Sequence, residues 1–318
     1  MTRPVQPDPT YALRVNRHLE ELVGSLPSAQ SALVLPLVRA GGKGIRSRLI
    51  EICSRFGKPN RTRLVSLGAL VELLHLASLL HDDVVDDAAI RRGAPSAHSV
   101  AGPEYAVVTG ASCLARAAQE AAQLGSGVSR AVAVVTADLA YGELLDIERS
   151  FDTTQSVEDY LRLVRRKTGS LFRFCCAIGA IESGAGRETV AALAEFGAQL
   201  GTAFQIFDDC LDLADDPGGK PRGTDHLLGL FGLPTLCALG NDVPELAELL
   251  LSPSLSGADL PRIRTLVIEG QGISLAQATA HAHFENGVGA LGRLASTAPG
   301  QELAALRETL LRETPWNA

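Results

Sequence analysis

Two apolar helical runs in this chain each end in the same acidic pattern, D-D-x-x-D. The first is Leu73-Leu74-His75-Leu76-Ala77-Ser78-Leu79-Leu80-His81-Asp82-Asp83-Val84-Val85-Asp86-Asp87. The second is Phe204-Gln205-Ile206-Phe207-Asp208-Asp209-Cys210-Leu211-Asp212. On a helix, residues four apart share a face, with Cβ atoms about 5–6 Å from each other. Asp82 and Asp86 therefore point the same way, as do Asp83 and Asp87. Carboxylates that close repel each other unless a cation lies between them. Hard oxygen ligands of this kind suit Mg²⁺, which keeps several waters and shares its remaining positions with substrate phosphates. A solvated acidic helix end explains one such motif equally well. Two matched copies weigh against that explanation, because the pair can face each other across a cavity and hold Mg²⁺ around a diphosphate.

The rest of the chain reads as all-α. Ala and Leu dominate, β-branched alternation is rare, and apolar spacings of three and four recur throughout. The loop signals are short, such as Gly57-Lys58-Pro59-Asn60, Gly93-Ala94-Pro95 and Asp216-Pro217-Gly218-Gly219. Ser156-Val157-Glu158-Asp159 has the form of a capping box with Asp in the place of Glu or Gln, and predicts a helix start. No linker divides the chain, so residues 1–318 are expected to form a single large helical domain, with residues 1–8 as a loose, Pro-rich tail.

Composition narrows the setting. The net charge of −7 gives no sign of nucleic-acid binding. No uninterrupted apolar run approaches 18 residues, and the first residues lack the apolar core of a signal peptide, so no transmembrane segment is expected and the protein is read as cytoplasmic. Six cysteines form no C-x-x-C pair and lie in apolar helical surroundings, which predicts reduced, buried thiols.

With both acidic motifs in place, the chain resembles the trans-isoprenyl diphosphate synthases from about Gly41 to about Pro234. That resemblance implies a helical bundle of the isoprenoid synthase type with a central cavity. It also implies Mg²⁺ as cofactor, isopentenyl diphosphate and an allylic prenyl diphosphate as substrates, and a homodimer. Metal ligands are then expected at Asp82, Asp83, Asp86, Asp208 and Asp212.

The cationic half of the site follows from the same resemblance. Gly41-Gly42-Lys43-Gly44-Ile45-Arg46-Ser47 is similar to the family's G-G-K-R-x-R-P, so Lys43 and Arg46 are expected to hold the diphosphate of isopentenyl diphosphate. His75 stands where the family often places a His or Gln on the same group. Arg91-Arg92-Gly93-Ala94-Pro95 is close to R-R-G-x-P, with Arg91 expected on the allylic and Arg92 on the isopentenyl diphosphate. Guanidinium forks match phosphate oxygens in pairs and keep their charge. Lys167-Thr168 matches the family's K-T pair, Gln205 the Gln of F-Q-x-x-D-D, and Lys220 a G-K loop. The expected catalytic set is Asp82, Asp86, Lys167, Asp208 and Lys220, with Lys43, Arg46, His75, Arg91, Arg92, Thr168 and Gln205 binding substrate.

Two departures stand out. Ala111 replaces the aspartate of the family's G-D-x-L, and Leu230 stands where a second diphosphate-binding lysine is expected. Two other readings stay open: a class I terpene cyclase or other prenyl-diphosphate-using enzyme, which would share the metal-driven ionisation, and a non-catalytic subunit of a heteromeric synthase, which these departures suggest. The missing cyclase pattern N-D-x-x-S-x-x-x-E argues against the first, and two intact acidic motifs argue against the second. The expected reaction is Mg²⁺-dependent ionisation of the allylic diphosphate followed by 1′–4 coupling. Leu74, Ala77 and Ser78, one to two turns before Asp82, are the candidates for the tunnel that receives the growing chain. Ala77 and Ser78 are small, which predicts products of C20 or longer.

Overall fold

The computed structural model describes residues 8–42, 44–213 and 223–311. Apart from Asp8, the expected N-terminal tail lies outside them, and so do Lys43 and Lys220. Asp8 itself is held by Arg14 at 3.4 Å and Arg61 at 3.2 Å.

The all-α expectation holds. The helices are α1 (Tyr11–Gly24), α2 (Ser28–Arg39), α3 (Ile45–Ser54), α4 (Arg61–Val85), α5 (Ala97–Ala101), α6 (Pro103–Leu124), α7 (Ser126–Glu148) and α8 (Val157–Val164). They continue with α9 (Ser170–Glu182), α10 (Arg187–Asp212), α11 (Leu233–Gly240), α12 (Pro244–Leu250), α13 (Leu260–Glu269), α14 (Gly272–Leu291) and α15 (Ala298–Leu311). Among the described residues, the only strands are a two-residue pair, β1 (Ile90–Arg91) and β2 (Ala94–Pro95). The capping signal was read correctly: Ser156 Oγ accepts from the Asp159 N–H at 3.1 Å and opens α8.

The chain divides into two compact units. The first comprises Met1–Ala137, Leu171–Ala194 and Ser296–Pro299, and the second Asp138–Ser170, Glu195–Ala295 and Gly300–Ala318. In the first unit α4 is the core helix, packed on α6, α1 and α3. Asn60 caps its start by accepting from the Thr62 and Arg63 N–H groups. Leu67, Leu70, Leu73, Leu74, Leu76, Ala77 and Leu80 are fully buried along it. Each large side chain among them contributes about 1.5–3 kcal/mol of burial. In the second unit α11 packs chiefly on α14 and α13, and Phe196 meets Phe284 edge to face.

By length and mean hydropathy α4 and α10 could each span a bilayer. However, 61% of each qualifying window is buried inside the protein, as in a core helix. The cysteines are all free, five buried and Cys237 half-buried. Burial pushes the Cys113 thiol up to about 12.

Candidate active site

The first unit gathers one half of the expected site. Arg91-Arg92-Gly93-Ala94 is a two-residue hairpin in which Arg91 faces Ala94 and both turn residues have positive φ, 51° for Arg92 and 77° for Gly93. Two-residue hairpin loops of this twist demand that conformation. For a side chain as large as arginine it carries a backbone cost of order 1–3 kcal/mol, a kind of strain that clusters at functional positions. The hairpin sends its two arginines to different partners. The Arg92 guanidinium lies beside Gly42 and donates to the Leu37 carbonyl at 3.0 Å. Arg91 Nε–H donates to Asp83 Oδ1 at 2.5 Å.

Arg46 enters from the first turn of α3, its guanidinium 5.1 Å from the centre of the Phe172 ring. Gly44, which stands in place of the family's first arginine, is the N-cap of α3 in the left-handed region at φ 57°. An arginine there would be strained, so this departure follows the backbone. The charges of Arg46, Arg92 and Arg91 all act on His75. Burial, followed by those three cations, holds its imidazole well below the usual range. His75 is therefore neutral at physiological pH and can offer a ring N–H to an anion without carrying charge. Glu72, one turn earlier, accepts the Ser47 N–H at 3.1 Å and tempers the charge of Arg92.

The four carboxylates of the first motif separate. Asp82 and Asp86 are half-buried at the end of α4, with the Asp86 N–H closing the helix on the Asp82 carbonyl at 2.8 Å. Asp87 is exposed, with φ 47° and His98 at 3.4 Å. Asp83, expected as a metal ligand, is fully buried and turned to Arg91; its Oδ2 has no hydrogen-bond partner. Burial raises its carboxyl above the ordinary range, against the pull of Arg91. Of the tunnel candidates, Leu74 and Ala77 are buried, while Ser78 is half-buried and donates to the His75 carbonyl at 2.9 Å. Gly110, just before the departure at Ala111, abuts the His81 ring so closely that a Cβ would come within 2.3 Å of it.

The second unit gathers the other half. After α8 the helix widens into a π segment, Arg165–Gly169, which carries Lys167 and Thr168. Such segments are rare and often lie at functional sites. Glycines let neighbouring backbones approach it: a Cβ on Gly142 would sit 2.6 Å from the Lys167 backbone, and one on Gly169 3.2 Å from the Ala198 carbonyl. Lys167 Nζ meets Asp146 at 2.5 Å and Glu143 at 2.9 Å. The Thr168 hydroxyl donates to Gln205 Oε1 at 2.8 Å, and Gln205 Nε2 donates to Asp209 Oδ1 at 3.1 Å. Asp209 Oδ2 accepts from the Tyr160 hydroxyl and from the Leu233 N–H at 3.0 Å. Burial pushes the Asp209 carboxyl up to about 7, against these three donors. Asp208 is exposed and Asp212 half-buried. Leu230 is half-buried, with its N–H on the Asp225 carbonyl at 2.9 Å.

Among the described residues, no three carboxylate, imidazole or thiolate groups are gathered tightly enough to hold an ion unaided. A pair of aspartates such as Asp82 and Asp86, or Asp208 and Asp212, fits an ion that fills its other positions with water and phosphate oxygens. Mg²⁺ coordinates in that way.

Residues 30–258 match the polyprenyl synthetase family. The chain belongs to that family. Its members include a nonaprenyl diphosphate synthase of Mycobacterium tuberculosis, 36% identical over 86% of this chain and 84% of its own. Component 2 of a heptaprenyl diphosphate synthase of Geobacillus stearothermophilus is 35% identical over 78% of this chain and 79% of its own. Among solved structures, a polyprenyl synthase of Caulobacter crescentus complexed with calcium and isoprenyl diphosphate superposes with a TM-score of 0.90. It is 29% identical and covers 96% of this chain and 95% of its own. The family is divalent-metal dependent and acts on isoprenyl diphosphates.

Sequence reasoning missed Glu143, Asp146 and Tyr160. Two acids three residues apart on one face of the apolar helix α7 were a signal for a cation partner. Nothing in the local pattern marked the π segment.

Proposed function

We propose that this protein is an all-trans polyprenyl diphosphate synthase, a prenyltransferase that condenses isopentenyl diphosphate with an allylic diphosphate to give products of C20 or longer. What supports this reading is the match of residues 30–258 to the polyprenyl synthetase family, together with Arg46, Arg91 and Arg92 in the unit whose core helix ends in Asp82 and Asp86.

In this reading Asp82, Asp86, Asp208 and Asp212 would hold Mg²⁺, which would supply Lewis-acid charge to a diphosphate. Asp83 keeps Arg91 in place and takes no ion. Arg91, Lys167 and Lys220 offset the negative charge that grows on the leaving group. Lys43, Arg46, Arg92 and His75 hold isopentenyl diphosphate, so that its double bond meets the allylic carbon. Thr168 and Gln205 complete the substrate-binding set. Leu74, Ala77 and Ser78 line the path of the product. The protein acts in the cytoplasm as a homodimer, and exposed Tyr105, Val107 and Val108 on α6 offer apolar surface for the second copy. We read residues 1–318 as one domain, as the sequence leads us to expect.

A second reading is catalysis only within a heteromeric synthase. The similarity to a protein named as one component of a synthase favours it, together with the departures at Ala111 and Leu230. The test for both is incubation of the purified protein alone with isopentenyl diphosphate, Mg²⁺ and each C5 to C20 allylic diphosphate, followed by sizing of the products. Elongation by the protein alone supports the first reading, and none supports the second.

A further inference from the structure

The hydrogen bonds around Asp209 all belong to the second unit and run in one direction. Gln205 turns its Nε2 toward Asp209 Oδ1, at 3.1 Å, and its Oε1 toward the Thr168 hydroxyl, at 2.8 Å. The Thr168 hydroxyl must then donate inward. Its proton is committed, and its oxygen keeps acceptor capacity for whatever lies on its other side. Tyr160 and the Leu233 N–H fill the second carboxylate oxygen, leaving Asp209 with three donors. Gly232 is required beside it, since a Cβ there would lie 2.8 Å from the carboxylate.

The π segment makes the closure possible. Tyr160 and Thr168 are eight residues apart, and on a regular α-helix Thr168 would be rotated roughly 80° off the face of Tyr160. The wider π turn takes up that excess. Both residues then reach the same carboxylate, Tyr160 directly and Thr168 through Gln205.

We infer that Tyr160 and Asp209 are positioning residues: they lock the α8–π segment that carries Lys167 and Thr168 onto α10 and fix the polarity of the Gln205 amide, and Asp209 is not a metal ligand. This rests on the prenyl-transfer reading above for its catalytic consequence, while the locking itself does not depend on it. In Asp209→Asn the new amide sets an N–H against Gln205 and reverses that polarity, or else loses the bonds from Tyr160 and Leu233.

The experiment compares wild type, Tyr160→Phe, Asp209→Asn and Asp208→Asn in steady-state kinetics with varied Mg²⁺. Hydrogen exchange of the peptide spanning Arg165–Gly169 is followed in parallel. Tyr160→Phe and Asp209→Asn are expected to lower kcat by about tenfold or more, with the half-saturating Mg²⁺ concentration within about twofold of wild type. Asp208→Asn is expected to raise that concentration severalfold. Exchange in the π segment should rise about tenfold in both positioning variants. A Mg²⁺ requirement in Asp209→Asn that rises with that of Asp208→Asn overturns the inference, as does unchanged exchange in both variants. If wild type makes no product, the functional reading has failed, and the exchange data alone decide the locking.

Discussion

Asp83 and Arg91 form an ion pair of 2.5 Å in which the carboxylate is fully buried and the guanidinium is 28% exposed. The second aspartate of the first motif thus serves the arginine hairpin, although its neighbours Asp82 and Asp86 have the spacing of metal ligands. Asp83→Asn should lower unfolding free energy by about 1–3 kcal/mol, the cost of weakening a buried charged hydrogen bond. It should leave the half-saturating Mg²⁺ concentration within about twofold. Urea unfolding and a Mg²⁺ titration of activity check the two halves. A severalfold rise in the Mg²⁺ requirement would show that Asp83 ligates after all.

This outcome was partly legible in the sequence. Leu73, Leu76 and Leu80 precede Asp83 at spacings of three and four, so the helical period already puts Asp83 on the core face of α4. The D-D-x-x-D pattern drew attention to carboxylate spacing and away from helix rotation. The all-α class was legible because helical periodicity is a local signal, whereas the grouping of Arg46, His75, Arg91 and Arg92 was expected only from the family resemblance. The π segment was not, because a register of backbone hydrogen bonds is chosen by packing, here by the close approaches at Gly142 and Gly169. The partners of Lys167 stayed hidden for the same reason, since Asp146 lies 21 residues away.

Ala77 tests the product path. It is fully buried on α4, so Ala77→Phe must insert a ring into filled or product-holding space. If Ala77 lines the tunnel, products shorten while the first condensation survives, which radio-labelled product sizing would reveal. Pure overpacking would instead lower the melting point, at a cost of about 1–3 kcal/mol, with the product pattern unchanged.

His18 predicts a pH dependence of stability remote from the catalytic residues. Its Nε2 lies 2.9 Å from Glu120 and its Nδ1 3.1 Å from Glu21. Burial alone would lower its pKa, but the two carboxylates outweigh burial and raise it. The folded state therefore holds this proton more tightly than the unfolded state. The contribution is fully present below the unfolded value of 6.5 and is lost as pH rises through the raised folded value. Urea unfolding at about pH 6 and about pH 9 should show wild type losing more stability than His18→Gln over that interval. Equal losses would mean that the imidazole pKa does not differ between the folded and unfolded states.

Asp208 should be far more sensitive than Asp83. It is exposed at the end of α10, so Asp208→Ala should leave the circular dichroism and melting point unchanged. Turnover should fall well beyond tenfold, a barrier increase above about 1.4 kcal/mol. Retention of more than about a tenth of wild-type turnover would remove Asp208 from the metal-binding set.

The central claim is tested most directly by sizing the products that the purified protein forms from isopentenyl diphosphate and allylic diphosphates of C5 to C20. The account predicts linear all-trans products of C20 or longer, made only with a divalent metal present and absent in Asp82→Ala. Cyclic hydrocarbons released from the allylic diphosphate alone, or no elongation from any primer, would contradict it.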